Sequence, residues 1–259
     1  VALRLLGNYK LSLDDADRAL GIMHDHGGSE SNRAEALRAK GVNPYQQGKL
    51  KDALQWLDRS LVIYEKEKHE QDIARLLVEI GAVNESLGNH EAAEKAYKRS
   101  LVYWQSIGDS IWQSNLLNNL GVLQHAKGDF ENSFYNLEKA LQYAHANGNL
   151  QMEGYALASI GDLYKDLDAA AEANDAYRQA LEVALRTEDL YLAGYLRTTL
   201  ARLLAQQKRF SAAEAEITAA RSLAERSQSP YDTNRALLES GALALAKKEY
   251  AGAFEKLIP

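Results

Sequence analysis

Cysteine is absent from the 259 residues. Its absence removes every disulfide and every thiolate metal site, and fits a reducing compartment such as the cytoplasm. Proline occurs only three times. Such scarcity favours helices, because proline lacks the backbone donor that a helical ladder needs. No apolar run approaches the roughly 18 residues of a membrane-crossing helix. Positive charge is not in excess either: 30 basic against 36 acidic residues gives a net charge of −6. A nucleic-acid binder needs clustered cations to displace counterions. Neither direct nucleic-acid binding nor a membrane partner is therefore expected. No signal segment is visible, and Val1 stands where a start methionine would be.

Chemical motifs are missing as well. There is no phosphate-binding glycine loop and no serine elbow. His90-Glu91-Ala92-Ala93-Glu94 starts like a zinc-protease helix but has glutamate where the second histidine belongs. His24 and His26 flank Asp25 ahead of Gly27-Gly28. Residues two apart on a helix point to different sides, and a metal needs three or four convergent ligands. The expectation is a protein that is not an enzyme, with no catalytic residues, no metal and no cofactor.

What the chain does have is a folded-protein composition, 46% hydrophobic and 25% charged, and a repeat. Small residues recur every forty positions at Gly41, Gly81, Gly121, Gly161, Ala201 and Gly241. Seven residues beyond each comes a turn position: Gly48, Gly88, Gly128, Asp168, Lys208 and Lys248. A second small residue follows at Ala53, Ala93, Ser133, Ala173, Ala213 and Ala253. A large apolar one then appears at Leu57, Tyr97, Leu137, Tyr177, Ile217 and Leu257. Between them the apolar positions run at helical spacing, as in Leu76, Leu77, Ile80, Val83 and Leu87. Each period therefore reads as a helical hairpin, helix A then helix B, in which small residues let the two backbones approach. One hairpin cannot bury its apolar face alone, so neighbours must stack.

These slots resemble the tetratricopeptide repeat. The stretches Asn119-Leu120-Gly121 to Gly128-Asp129-Phe130, and Ile160-Gly161-Asp162-Leu163-Tyr164, carry the likeness most closely. It implies an all-α, right-handed superhelical solenoid of antiparallel hairpins with about 13 helices. Full repeats are expected at 34–73, 74–113, 114–153, 154–193 and 194–233, with a partial repeat at 1–33 and a truncated one at 234–259. The family's usual repeat is about 34 residues. The six additional ones are expected in helix B, adding about one and a half turns. Pro44 is expected to kink the first helix A. In the partial repeat, Gly7-Asn8-Tyr9 falls in the turn slots and Ser12 in the small slot. With no polar capping helix at either end, the chain reads as a piece of a longer array.

The resemblance places helix A on the concave side of the solenoid. Its inward slots hold Arg38, Arg75, Asn115, Asn118, Asn119, His125, Tyr155, Lys165, Tyr195, Arg202 and Arg235, interleaved with Glu35, Glu79, Glu85, Asp162, Asp166 and Glu239. Mixed charge suits a protein or peptide ligand better than a polyanion. Asn115, Asn118 and Asn119 share one helical face and offer donor and acceptor together, as a peptide backbone requires. The same amides could instead bond adjacent helices and set the superhelix. A second cluster, Tyr103, Trp104, Ile111 and Trp112, reads as packing between repeats or as an exposed patch.

The long period and phrases such as Ser227-Gln228-Ser229-Pro230-Tyr231 are similar to the sensor arrays of large bacterial transcriptional activators. That likeness implies a groove that binds an effector or partner and biases attached domains. A constitutive adaptor for peptide tails, as in polarity scaffolds and kinesin light chains, is the alternative. A homodimer through the open array ends, with Leu3, Leu5 and Leu6 as its first contacts, is a third.

Overall fold

A left-handed backbone residue stops a helix at every twentieth position from Gly48 to Lys248, eleven times in all. Five of the eleven are glycines, at 48, 88, 108, 128 and 148, where positive φ carries no Cβ penalty. The other six are Lys68, Asp168, Glu188, Lys208, Gln228 and Lys248. Around seven of these stops the backbone closes a six-to-one hydrogen bond, as from Asn89 N–H to the Asn84 carbonyl at 2.8 Å and from Asp189 N–H to Ala184 at 2.9 Å. The following residue often caps the next helix. Asp109 accepts from the backbone N–H of Ile111 and Trp112, Asn149 from Met152, and Asp189 from Leu192.

A computed structural model describes residues 16–18, 20–22, 28–46 and 48–248, with backbone alone for 43–46. Within them run α1 (Glu30–Gln46), α2 (Leu50–Glu67), α3 (Glu70–Ser86), α4 (His90–Ser106), α5 (Ser110–Ala126), α6 (Phe130–Ala146), α7 (Leu150–Asp166), α8 (Ala170–Arg186), α9 (Leu190–Gln206), α10 (Phe210–Ser227) and α11 (Pro230–Ala246). No strand occurs among the described residues. The all-α expectation holds. Odd-numbered helices are the A helices and even-numbered ones the B helices. The slots at Gly7, Asn8, Tyr9 and Ser12, the leucines at 3, 5 and 6, His24, His26, Ala253 and Leu257 all lie outside the described residues. Helix α1 carries on past Pro44 to Gln46.

The six additional residues do not all lengthen helix B. Both members of the hairpin have 17 or 18 residues, and α3 begins at Glu70, four residues ahead of its first slot at Ala74. The cause is the left-handed stop at Lys68, Gly108, Gly148, Glu188 and Gln228. It ends each helix B early and hands the remaining residues to the next helix A.

The chain divides into two compact units, Val1–Lys127 and Gly128–Pro259. In the first, α1 pairs with α2 and α3 with α4, and α5 packs on α4. One core cluster joins Ala34, Leu57, Tyr64, Leu76 and Ile80; another joins Tyr97, Trp104, Leu116 and Leu123. In the second unit α7 pairs with α8 and α9 with α10, while α6 packs on α7 and α11 on both α9 and α10. Its larger cluster centres on Tyr177, Leu181, Leu196, Leu200 and Leu203.

Where the small and large slots meet, the fit is close. A Cβ on Gly41 would lie 2.6 Å from Leu57, one on Gly81 2.3 Å from the Tyr97 ring, and one on Gly161 2.6 Å from the Tyr177 ring. Glycine is required there by the bulk opposite it, as the repeat pattern anticipates. Serine in helix B adds a tie that the pattern gave no reason to expect. Ser60 donates to the Ala34 carbonyl and Ser100 to the Ala74 carbonyl, both at 2.7 Å and both buried. The two serines stand forty residues apart, which is the signal that marks them.

Candidate functional site

The slots expected to face inward on the odd-numbered helices are polar, and two ion pairs among them, Arg38–Glu79 and Arg202–Glu239, join successive A helices. In the first unit Arg38 on α1 reaches Glu79 on α3, through Nε at 3.0 Å and Nη2 at 2.5 Å. A further nitrogen of Arg38 bonds Glu35 at 3.0 Å, and Glu35 accepts from the Tyr64 hydroxyl at 3.0 Å. Burial works against the Arg38 charge, but Glu79 outweighs it, so the guanidinium is held above its ordinary value. Burial pushes the Glu79 carboxyl up in spite of Arg38. Arg75 is half-exposed and lies 4.0 Å from Asp72 on its own helix. His125 is half-buried.

The asparagines of α5 separate by depth. Asn118 is buried, and its Oδ1 has no hydrogen-bond partner. Asn115 and Asn119 are half-buried, and the Asn115 amide donates to the Ile111 carbonyl one turn back at 3.0 Å. The neighbouring aromatic cluster is largely packing. Trp104 is buried and stacks on Trp112 at 4.9 Å, with Tyr103 edge-on at 5.0 Å. Only Ile111 stands out into solvent.

In the second unit four predicted residues, Lys165, Tyr195, Arg202 and Arg235, come together on α7, α9 and α11. Asp162 on α7 holds two of them, Tyr195 and Lys165. Its carboxylate accepts the Tyr195 hydroxyl at 2.6 and 2.7 Å, the Tyr177 hydroxyl at 2.7 Å, and the Lys165 ammonium lies 3.5 Å away. Burial, then the Asp162 charge, pushes both tyrosines far above the ordinary phenol value. Arg202 on α9 pairs with Glu239 on α11 through Nε and Nη2. The hydrogen bond to Glu239 raises the Arg202 pKa against a smaller loss from burial. Tyr155 on α7 donates to Asp189, the cap of α9, at 2.9 Å.

Arg235 bonds Asp232 at 2.8 Å and sits 5.2, 5.6 and 5.8 Å from the rings of Tyr191, Tyr231 and Tyr195. Tyr191 and Tyr231 stack at 6.3 Å. Neither was singled out from the sequence, although they stand forty residues apart in one slot. Beside Arg202 and Glu239 opens a cavity of about 210 Å³ floored by Ala201, Ile217, Leu243 and Ala246. Arg202 keeps 56% of its side chain exposed at the rim, whereas Glu239 keeps 10%. Among the described residues no group of three or more potential ligands could hold a metal ion.

Sequential hairpins of this geometry, with glycine or alanine at the crossing and a large apolar side chain opposite, recur at forty-residue spacing in each unit. The fold is that of a tetratricopeptide-repeat array. Residues 72–146 match the family model described as tetratricopeptide repeat. The chain is 29% identical over 139 residues to Protein KINESIN LIGHT CHAIN-RELATED 3 of Arabidopsis thaliana, an alignment covering 51% of this chain and 21% of that protein. It therefore spans about a fifth of that relative's length. Among solved structures it is similar to a Rap protein complexed with competence and sporulation factor, with TM-score 0.72, 11% identity, and coverage of 96% and 85% of the two chains. It is also similar to a signal transduction ATPase with numerous domains from Pyrococcus horikoshii that has a tetratricopeptide repeat sensor. There the TM-score is 0.71 and the identity 16%, covering 96% of this chain and 40% of that one. At these identities the solved structures share the fold.

Proposed function

We propose that this tetratricopeptide array is a peptide- or protein-binding scaffold that serves as the effector- or partner-sensing region of a larger regulator. The observation that carries the reading is the Arg202 rim of the second unit. A guanidinium more than half exposed is held by a nearly buried glutamate over an apolar cavity. Fixed polar groups beside an apolar recess are what orient a bound chain. The pairing leaves one arginine nitrogen to meet a ligand carbonyl or carboxylate. The recess suits one aliphatic side chain. Lys165, Tyr155, Tyr195 and Arg235 would flank that ligand, and Asn115, Asn119, Arg38, Arg75 and His125 would meet a ligand on the first unit, with Asn118 supporting from beneath.

Support for the sensing role comes from relatives of the same fold: one solved array is a Rap protein bound to competence and sporulation factor, and another is named as the sensor of a signal transduction ATPase. The adaptor alternative draws on the kinesin light chain-related protein, whose likeness covers half of this chain. A sensor predicts that ligand changes the activity of attached domains; an adaptor predicts capture alone.

Panning a random peptide display library on the chain supplies a ligand for the test. Arg202→Gln with Lys165→Ala is expected to weaken the selected peptide at least tenfold, as is Asn115→Ala with Asn119→Ala for a ligand of the first unit. Lys98→Ala with Arg99→Ala, on the B side, is the control. Binding that survives both groove variants but is lost with the control overturns the proposal.

A further inference from the structure

Two slots of the repeat meet where helix B packs on the next helix A: the fifth residue of B and the residue that caps the end of A, thirty-three positions on. Glu94 on α4 meets Lys127 there at 2.6 Å, and Glu214 on α10 meets Lys247 at 3.6 Å. Asn174 and Gln207 keep the slots polar, while Leu54 and Leu87 are half-buried against a core cluster. On α6 and α7 the same slots hold Phe134 and Leu167, which are 37% and 47% exposed. Phe130, one helical turn before Phe134, is 37% exposed as well, and the Tyr164 ring lies edge-on to Phe134 at 6.1 Å. An aromatic and aliphatic patch therefore stands in solvent where two other hairpins place an ion pair. Both helices that carry it lie in the interior of the chain, with described helices before and after them. Large apolar side chains gathered on an exposed face mark a contact surface.

The charge on the segments that carry the patch is of one sign. Residues 129–138 and 166–177 hold no lysine or arginine and seven carboxylates, of which Glu131, Asp166, Asp168, Glu172 and Asp175 are exposed. The lysines that flank these segments in unit two are engaged. Lys139 lies over the Tyr135 ring at 4.8 Å, and Lys165 lies 3.3 Å from Asp166 and 3.5 Å from Asp162. An acidic rim selects a basic partner by complementarity. It repels nucleic acid and anionic lipid by the same field.

We propose that this face docks a basic amphipathic helix of a partner protein, its aliphatic side chains on the patch and its lysines or arginines on the carboxylates. Helical partners bury a stripe of side chains spaced three and four residues apart. Phe130 and Phe134, four residues apart on α6, present a step of the same length. Long basic side chains lay their stems along aromatic rings while their charged ends reach the acidic residues beyond. One helix on four side chains is a small contact, below about 1,200 Å² in total, of the transient kind. The surface shares no residue with the Arg202 rim, and its partner is independent of what the rim binds.

The repeat itself supplies the test variant. Phe134→Glu with Leu167→Lys installs the ion pair that Glu94 and Lys127 make, so it removes the patch and keeps the fold, which unchanged helicity checks. The probe is a display library of helical peptides with leucine on one face and flanks randomised among lysine, arginine, glutamate, aspartate and glutamine. It is panned on the wild-type chain and counter-selected on that variant. Surviving peptides are expected to carry lysine or arginine at most flanking positions and to bind the variant at least tenfold more weakly. Asp168→Lys with Glu172→Lys is expected to weaken them by a similar factor; lysine holds the same left-handed stop at 68, 208 and 248. Val102→Glu, which alters an exposed apolar side chain of the first unit, is expected to leave them unchanged. No peptide surviving counter-selection, survivors with neutral or acidic flanks, or survivors that the double-lysine variant binds as tightly as wild type, each overturns the proposal.

Discussion

Tyr195 on α9 donates its hydroxyl to both carboxylate oxygens of Asp162 on α7, at 2.6 and 2.7 Å. The bond joins two successive A helices thirty-three residues apart in sequence. Tyr177 on α8 donates to the same carboxylate, so one charge ties three helices. Asp162→Ala leaves two part-buried hydroxyls without their acceptor. Hydrogen bonds to a charged group contribute about 1.5–3 kcal/mol each, and stranding their partners adds to the loss. A destabilisation of about 2–3 kcal/mol is expected in urea unfolding, with Asp162→Asn intermediate because an amide still accepts. A loss under about 0.5 kcal/mol contradicts this role.

The same tyrosines govern alkaline behaviour. Tyr177 and Tyr195 have folded-state values far above the ordinary phenol value, first from burial and then from Asp162. A group raised in this way lends stability that is complete below the unfolded value, about 10, and is lost as pH rises through the folded value. Absorbance at 295 nm is expected to show these two rings silent until the protein unfolds, so that Tyr177→Phe and Tyr195→Phe leave the native titration between pH 9 and 11 unchanged. A reduced native amplitude in either variant contradicts it.

Glycines at two positions separate crossing from propensity. Gly161→Ala drives a Cβ to 2.6 Å from the buried Tyr177 ring. Gly194→Ala meets only the far end of the Arg235 side chain at 3.0 Å. Overpacking a rigid core contact is expected to lower stability by about 1–3 kcal/mol in the first. In the second a flexible guanidinium can shift, and alanine's higher helix propensity, about 1 kcal/mol, offsets the cost. Equal effects of the two substitutions sink the account of the crossing.

Non-glycine residues at the left-handed stops point the other way. Glu188 and Lys208 hold φ of 53° and 59°. Left-handed backbone costs an L-residue about 1–2 kcal/mol, against about 1 kcal/mol of added unfolded-state freedom for glycine. Lys208→Gly and Glu188→Gly are each expected to raise stability by up to about 1 kcal/mol in thermal unfolding. A fall in both contradicts the reading of these stops as strained.

How much of this could be read in advance depended on the period that was followed. Forty-residue spacing located the crossings at Gly41, Gly81 and Gly161, because a missing Cβ opposite a large side chain leaves a direct mark on sequence. It did not divide helix B from the next helix A, because the second stop of each hairpin is glycine only at 108 and 148 and is Lys68, Glu188 or Gln228 elsewhere. Polar residues that accept αL geometry leave no such mark. At the candidate site, the identity of the inward residues followed from slot position, but their engagement did not. Arg38 with Glu79 and Arg202 with Glu239 pair across 41 and 37 residues, distances fixed by how one hairpin sits on the next. Asn118 differs from Asn115 and Asn119 in depth alone, which spacing of three and four residues cannot distinguish.

The most direct measurement of the central claim is hydrogen exchange with and without a saturating panned peptide. Ligand in the groove is expected to slow exchange in α7, α9 and α11, or in α1, α3 and α5, while α8 and α10 keep their free rates. Protection confined to the even-numbered helices would contradict the assignment of the working surface to the A helices.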